Sequence, residues 1–117
     1  MSDIHIDRVV LMTLQDVMEN EYPTLLEAYL HDSEERLIEL RRAQEREDAE
    51  GVRQAAHSFK GSCGNIGAPL LAKLCQQLEA VSRRQTMTQI DPLLGQIERE
   101  FSVVRILIKS ELRRFKY

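Results

Sequence analysis

The sequence predicts an all-α fold: an antiparallel up-down four-helix bundle with a short additional N-terminal helix. Three observations predict it. Apolar residues recur at helical spacing along almost the whole chain, and no segment of four or more residues alternates as a strand would. Proline and glycine fall between the periodic segments, where helices start and stop. The chain has 117 residues, 43% of them hydrophobic, enough to bury a core without disulfides or metal.

A first helix is expected from about Asp7 to Met18, with Ile6, Val10, Leu14 and Val17 in line. Pro23 sits where a first helical turn tolerates proline, and a long helix should follow to about Glu45. Its apolar face holds Leu26, Leu30, Ser33, Leu37 and Leu40. Its other faces carry mixed charge, with Asp32 and Arg36 spaced as an i,i+4 pair. Asp48 is the N-cap of a third helix reaching about Ile66, which Gly67 stops. Pro69 opens a fourth helix to about Arg84, striped by Leu71, Leu74, Leu78 and Val81. Residues 84–89 are expected as a loop. The last helix should begin between Thr88 and Pro92, with Asp91 as the favoured cap, and could extend to Phe115. Its stripe is Leu94, Ile97, Phe101, Val104 and Ile108. Long amphipathic helices with short connections pack as an antiparallel bundle. No repeat or second domain is visible, so residues 1–117 read as a single domain.

Composition narrows the function. Charged residues make up 30% of the chain but the net charge is only −3, unlike a basic nucleic-acid-binding domain. Arg113, Arg114 and Lys116 form a small basic cluster, which favourable charge at a helix C-terminus explains. There is no signal-peptide pattern and no apolar run of about 20 residues, so a cytoplasmic protein without membrane contact is expected. Cys63 and Cys75, twelve positions apart, have neither zinc nor redox spacing and read as reduced core residues.

The informative stretch runs from Ala55 to Gly67. On a helical projection Val52, Ala56, Phe59, Cys63 and Ile66 share the core arc, and His57 lies roughly 140° from its centre. Arg53, Lys60, Gly61 and Gly64 fall within about 60° of His57, on the same outward side. A core histidine is thereby excluded. Mid-helix Gly61 and Gly64 each cost about 1 kcal/mol relative to alanine. Glycines facing away from the core are not explained by packing inside the bundle. Their use is to clear side chains from around His57 so that another protein can approach. Neutral imidazole is a nucleophile near neutral pH. Lys60, one turn away, offers a cation to phosphate oxygens and should oppose protonation of the ring. Arg53 could add to that field or serve as an ordinary surface residue.

The run His57-x-x-Lys60-Gly61-Ser62-x-x-x-x-Gly67-Ala68, followed by Leu71, Leu74 and Leu78-Glu79, resembles the histidine-containing phosphotransfer (HPt) domains of multistep phosphorelays, in particular the stand-alone bacterial kind. The resemblance implies that His57 Nε2 accepts a phosphoryl group from the aspartyl phosphate of a hybrid sensor kinase's receiver domain and passes it to the aspartate of a response regulator. It implies that Lys60 steadies the phosphoryl oxygens and that Gly61 and Gly64 leave room for the receiver. It implies no stably bound cofactor, with Mg²⁺ held by the partner receiver. Glu79 falls where the family carries a glutamine or glutamate that bonds the histidine's other nitrogen and fixes its tautomer. That contact requires His57 to lean toward a groove. Receiver docking in the family uses apolar residues on the first two helices. Val9, Met12 and Leu26 are the candidates by position, each equally readable as core.

An ATP-dependent kinase is excluded by the lack of a phosphate-binding loop. A metal site is excluded because His5 and His31 have no ligand spacing to His57. The rival reading is a non-catalytic adaptor, a bundle that binds a receiver-like partner without carrying phosphate. A monomer is expected, since one bundle can use every apolar stripe.

Overall fold

The computed structural model describes residues 4–115. The helices are α1 (Arg8–Met18), α2 (Tyr22–Glu45), α3 (Ala49–Ile66), α4 (Pro69–Arg83) and α5 (Met87–Leu112), with a 3-10 turn at Glu19–Glu21. No strand occurs among the described residues. Helices α2 to α5 pack each on the next, and α5 returns to α2, which closes a four-helix bundle. Helix α1 touches α2 and α3 at one end.

Local chemistry sets the helix limits. Asp7 caps α1, accepting from the N–H groups of Val9 (3.0 Å) and Val10 (3.4 Å). Asp48 caps α3 through the N–H of Gly51 at 2.9 Å. Pro23 and Pro69 occupy first-turn positions of α2 and α4, where a missing N–H costs nothing. Helices α2, α3 and α4 end on the same motif. Beyond α3, Ala68 N–H donates to the Cys63 carbonyl at 2.9 Å and Gly67 N–H to that of Gly64 at 3.2 Å. The pairs Asp48–Ala43 and Glu47–Gln44 repeat this after α2, and Thr86–Val81 and Gln85–Ser82 after α4. The motif requires a left-handed residue: Gly67 (φ 85°), Glu47 (φ 57°) and Gln85 (φ 57°).

Gly67 also seats α1. Its carbonyl accepts from Asp7 N–H at 2.7 Å. A Cβ on Gly67 would come within 2.8 Å of Val10 Cβ. The chain before α1 is pinned as well: Ile4 O accepts from Leu70 N–H at 3.3 Å, Ile6 is buried, and His5 Nδ1 lies 2.6 Å from the buried Glu100 carboxylate.

The core follows the predicted stripes of α3 and α5, all of whose members are buried. Tyr22, Tyr29 and Ala43 join the α2 face, and Phe59 stands edge-on to Phe101 at 6.3 Å between centroids. Cys63 and Cys75 are free and buried. Hydrogen bonding to Cys63 and burial both push the Cys75 thiol up, so it stays protonated. The buried Glu111 accepts from the Tyr22 hydroxyl and from Arg114, each at 2.7 Å. Burial opposes its charge, yet those donors hold its carboxyl below the usual range.

Several sequence expectations need correction. In α1 the buried residue is Leu11, while Val17 is exposed, because this helix lies on the bundle end instead of along a groove. Arg36 pairs with Glu39, three residues on, and not with Asp32. Helix α5 starts at Met87, with Thr86 as its N-cap and Pro92 inside it. Burial of Ile90 stabilises the extra turn, and Asp91 pairs with Arg41 of α2 instead of capping. The same Arg41 binds Glu98 at 2.7 Å, so one guanidinium clamps α5 to α2. Helix α5 ends at Leu112, and Phe115 folds back edge-on to Tyr22 at 5.4 Å. Arg114 serves Glu111 more than the helix dipole, and Lys116 lies outside the described residues.

The left-handed positions give a paired test by thermal or urea melts. Gly67→Ala should destabilise by about 1–3 kcal/mol. Gln85→Gly should stabilise by about 1 kcal/mol, since it removes a Cβ from a conformation that disfavours one. Equal melting of all three proteins would remove this account of the helix ends.

Candidate functional site

Helix α3 has two different sides. Val52, Ala56, Phe59, Cys63 and Ile66 turn inward and are buried. His57 stands on the other side, with its side chain 64% exposed. Beyond it Gly61 and Gly64 are exposed, and a Cβ on either would meet nothing within 4 Å. They therefore fill no close approach within the bundle. They leave a bare strip of helix beside the imidazole.

The short 67–68 connection folds α4 back along α3, so Glu79 reaches the His57 side. Glu79 is only 8% exposed and accepts from three directions. His57 Nδ1 lies 2.9 Å from Oε2, Lys60 Nζ 2.9 Å from Oε1, and Arg83 NH2 3.2 Å from Oε2. The hydrogen bond from Lys60 is the main reason the Glu79 carboxyl sits below its ordinary value; burial opposes the shift and His57 adds to it. The ring thus leans toward the α3–α4 groove while remaining open to solvent, which satisfies the geometric condition that sequence left open. His57 Nε2 has no hydrogen-bond partner among the described residues.

Two electrostatic expectations change. Lys60 does not face the ring as a lone cation, because its ammonium is paired to the carboxylate that also contacts the ring. Arg53 is engaged by Glu50 through two contacts of 2.9 and 2.6 Å, so its charge is largely matched. Arg83 was missed by sequence reasoning; its signal was a position four residues after Glu79 on one helix face.

The proposed docking residues separate. Val9 and Met12 are exposed on α1, at 70% and 64%. Leu26 is a correction: it is fully buried, because its face of α2 points into the core. The α2 residue at the surface here is Leu25, which lines a groove with Leu14, Ala28, Ser62 and Asn65. On the other side of α1, Val10, Lys60, Gly64 and Lys73 line an open cleft of about 390 Å³. Helix α1 is thus flanked by two depressions that border α3.

An exposed imidazole with one nitrogen bound and the other free, on a cleared helix face, has the form of a nucleophile offered to another macromolecule. A family model described as "Hpt domain" matches residues 24–107. The chain belongs to the Hpt domain family. Hpt domains carry phosphoryl groups in phosphorelays and interact with receiver domains. This Hpt chain is similar to the crystal structure of histidine-containing phosphotransfer protein B (HptB) from Pseudomonas aeruginosa PAO1, with 50% identity and a TM-score of 0.93 over 97% of this chain and 98% of that one. The HPT domain of an Hpt sensor hybrid histidine kinase from Shewanella shares the fold, with a TM-score of 0.80 at 21% identity over 98% of this chain and 100% of that one. No curated protein sequence matches the chain. No described helix of this Hpt domain is long and apolar enough to cross a membrane.

The Glu79 shift has a signed consequence. A carboxyl lowered in the folded state stabilises it above the ordinary value of 4.5, and that stability is lost as the pH falls through the lower folded value. Urea melts from neutral to acid pH should therefore show a shallower acid loss for Glu79→Gln than for the natural protein. Parallel curves would mean that the carboxylate is not held by these partners.

Proposed function

We propose that His57 accepts a phosphoryl group from the aspartyl phosphate of a hybrid sensor kinase's receiver domain and transfers it to the aspartate of a response regulator. The observation that carries this is the asymmetry of the ring. Nδ1 is held by Glu79, while Nε2 has no hydrogen-bond partner among the described residues, on a helix side that Gly61 and Gly64 leave bare. Membership in the Hpt family and the likeness to a protein described as histidine-containing phosphotransfer protein B support the same reading.

The residues divide the work. Nε2 attacks phosphorus in line with the departing carboxylate oxygen of the donor. Lys60, and Arg83 beside it, can swing from Glu79 to the incoming phosphoryl oxygens, since both are long and partly or well exposed. Gly61 and Gly64 let the receiver's surface reach the helix. Val9 and Met12 supply apolar contact, with Leu25 in the place first assigned to Leu26. The Mg²⁺ of the reaction belongs to the receiver's carboxylates. The setting is the cytoplasm, with the bundle acting as a monomer.

Incubation with a phosphorylated receiver domain should place acid-labile, base-stable label on the natural protein and none on His57→Gln. Label that persists on His57→Gln would rule out the site. A folded natural protein that binds the receiver yet takes no label from any receiver of its organism would establish the adaptor reading instead. Gly61→Leu should keep the fold and block transfer, because nothing lies near Gly61 within the bundle but a receiver must. Lys60→Ala should slow transfer about tenfold, the worth of one charge-assisted contact. An unchanged rate would remove the role given to Lys60.

A further inference from the structure

The partner of His57 on α4 is a carboxylate, and a carboxylate differs from an amide in one decisive respect. Ionised, it has lone pairs and no proton to give. Glu79 is kept ionised by donors from Lys60 and Arg83 in addition to His57. Its Oε2 lies 2.9 Å from Nδ1, so that nitrogen must carry the hydrogen of the contact. In the free protein this selects the tautomer with the lone pair on Nε2.

Phosphorylation changes the demand on the ring. When Nε2 bonds phosphorus, a neutral ring would have to give up its Nδ1 proton. The bare lone pair of Nδ1 would then face a carboxylate oxygen with no hydrogen between them. An amide at this place could rotate its NH₂ toward that lone pair. Glu79 cannot. Retaining the proton instead converts the contact into a charge-assisted N⁺–H···O⁻ hydrogen bond. We infer that Glu79 holds the proton on Nδ1 through the whole cycle, so that phosphorylated His57 is an N-phosphoimidazolium ready to discharge. This inference rests on the phosphorelay reading above and concerns the state of the intermediate.

The step balances without a proton shuttle. The Nε2 lone pair forms the N–P bond while the P–O bond to the donor aspartate breaks, and its electron pair stays on the aspartate oxygen. The ring gains positive charge and keeps Nδ1–H. In the outward step the acceptor aspartate oxygen attacks phosphorus, the N–P bond breaks, and its pair returns to Nε2. Neutral imidazole leaves. Were Nδ1 bare, the leaving group would be an imidazolide anion, which departs far less readily.

The charged groups around the ring come from two helices. On α3 they are Arg53, Lys60 and Glu50; on α4, Glu79 and Arg83. The cations oppose a charged ring, but in the unphosphorylated protein Lys60 and Arg83 direct their donors at Glu79 and Arg53 directs its own at Glu50; once Lys60 and Arg83 turn to the phosphoryl oxygens, Nδ1–H is the donor that stays on Glu79. Among the described residues, the group in hydrogen-bond contact with the ring is the carboxylate. The phosphoryl group adds further negative charge beside the ring.

The test reads the proton directly. His57 is phosphorylated chemically with phosphoramidate in protein carrying ¹⁵N-labelled histidine, and the ring nitrogens are followed by NMR from about pH 6 to 9. The phosphorylated natural protein should show a protonated Nδ1 at about pH 8. Glu79→Gln should lose it at least about one pH unit lower, a tenfold drop in proton affinity. Discharge to an acceptor receiver should be flat with pH in the natural protein over the range where it falls in Glu79→Gln. A bare Nδ1 in the phosphorylated natural protein at that pH, or identical titrations in both proteins, overturns the inference. Receivers that refuse to label His57 would instead overturn the phosphorelay reading, because the chemically phosphorylated ring still reports its proton.

Discussion

A charged carboxylate that is almost removed from water must be paired, or burying it is costly. That constraint governs the working face of this bundle. Glu79 satisfies it with an imidazole and an ammonium from α3 and a guanidinium from its own helix. The pairing leans His57 out of the plain outward direction and into the α3–α4 groove, and it orients the ring. It also draws Lys60 and Arg83 to the rim of the groove. The lean of the imidazole, its orientation and the nearby positive charge follow from the needs of one buried anion.

This arrangement depends on where α4 lies relative to α3, and the turn at Gly67 decides that. Its left-handed backbone satisfies the last carbonyls of α3 and lets Pro69 begin α4 at once. The same residue accepts from Asp7 and comes up against Val10, which brings α1 to the end of α3 beside Gly64. One backbone conformation thus places both the helix that bears Glu79 and the helix that offers Val9 and Met12. The opposite wall is fixed by a different device, the Arg41 clamp from α2 onto Asp91 and Glu98 of α5.

Helix α3 divides stability from function around its circumference. Its inner arc packs Phe59 against Phe101 and closes over the two buried cysteines. Its outer strip gives up helix propensity at Gly61 and Gly64, since glycine costs about 1 kcal/mol at such positions. Nothing inside the bundle repays that cost. In the proposed function the repayment comes from outside, from a partner that needs the bare backbone.

By itself the sequence determined the helical class, the inward stripes of α3 and α5, the cap at Asp48, and the outward position of His57. Each is a matter of local spacing or of one residue's backbone preference, and those are written along the chain. It misplaced the start of α5 and the role of Asp91, which it read as a cap, because the pull of Arg41 comes from another helix. It left open whether Leu26 was core or surface, since α2 carries apolar residues on adjacent faces and only the neighbours decide which face is inside. It could place Glu79 opposite His57 only by resemblance, and it did not find Arg83. A 2.9 Å contact between two helices depends on how far each is rotated and how deep its side chain sits, and that is decided by the packing of the whole bundle. His57 was legible as an exposed histidine; that its Nδ1 is held and its Nε2 free was decided by tertiary structure.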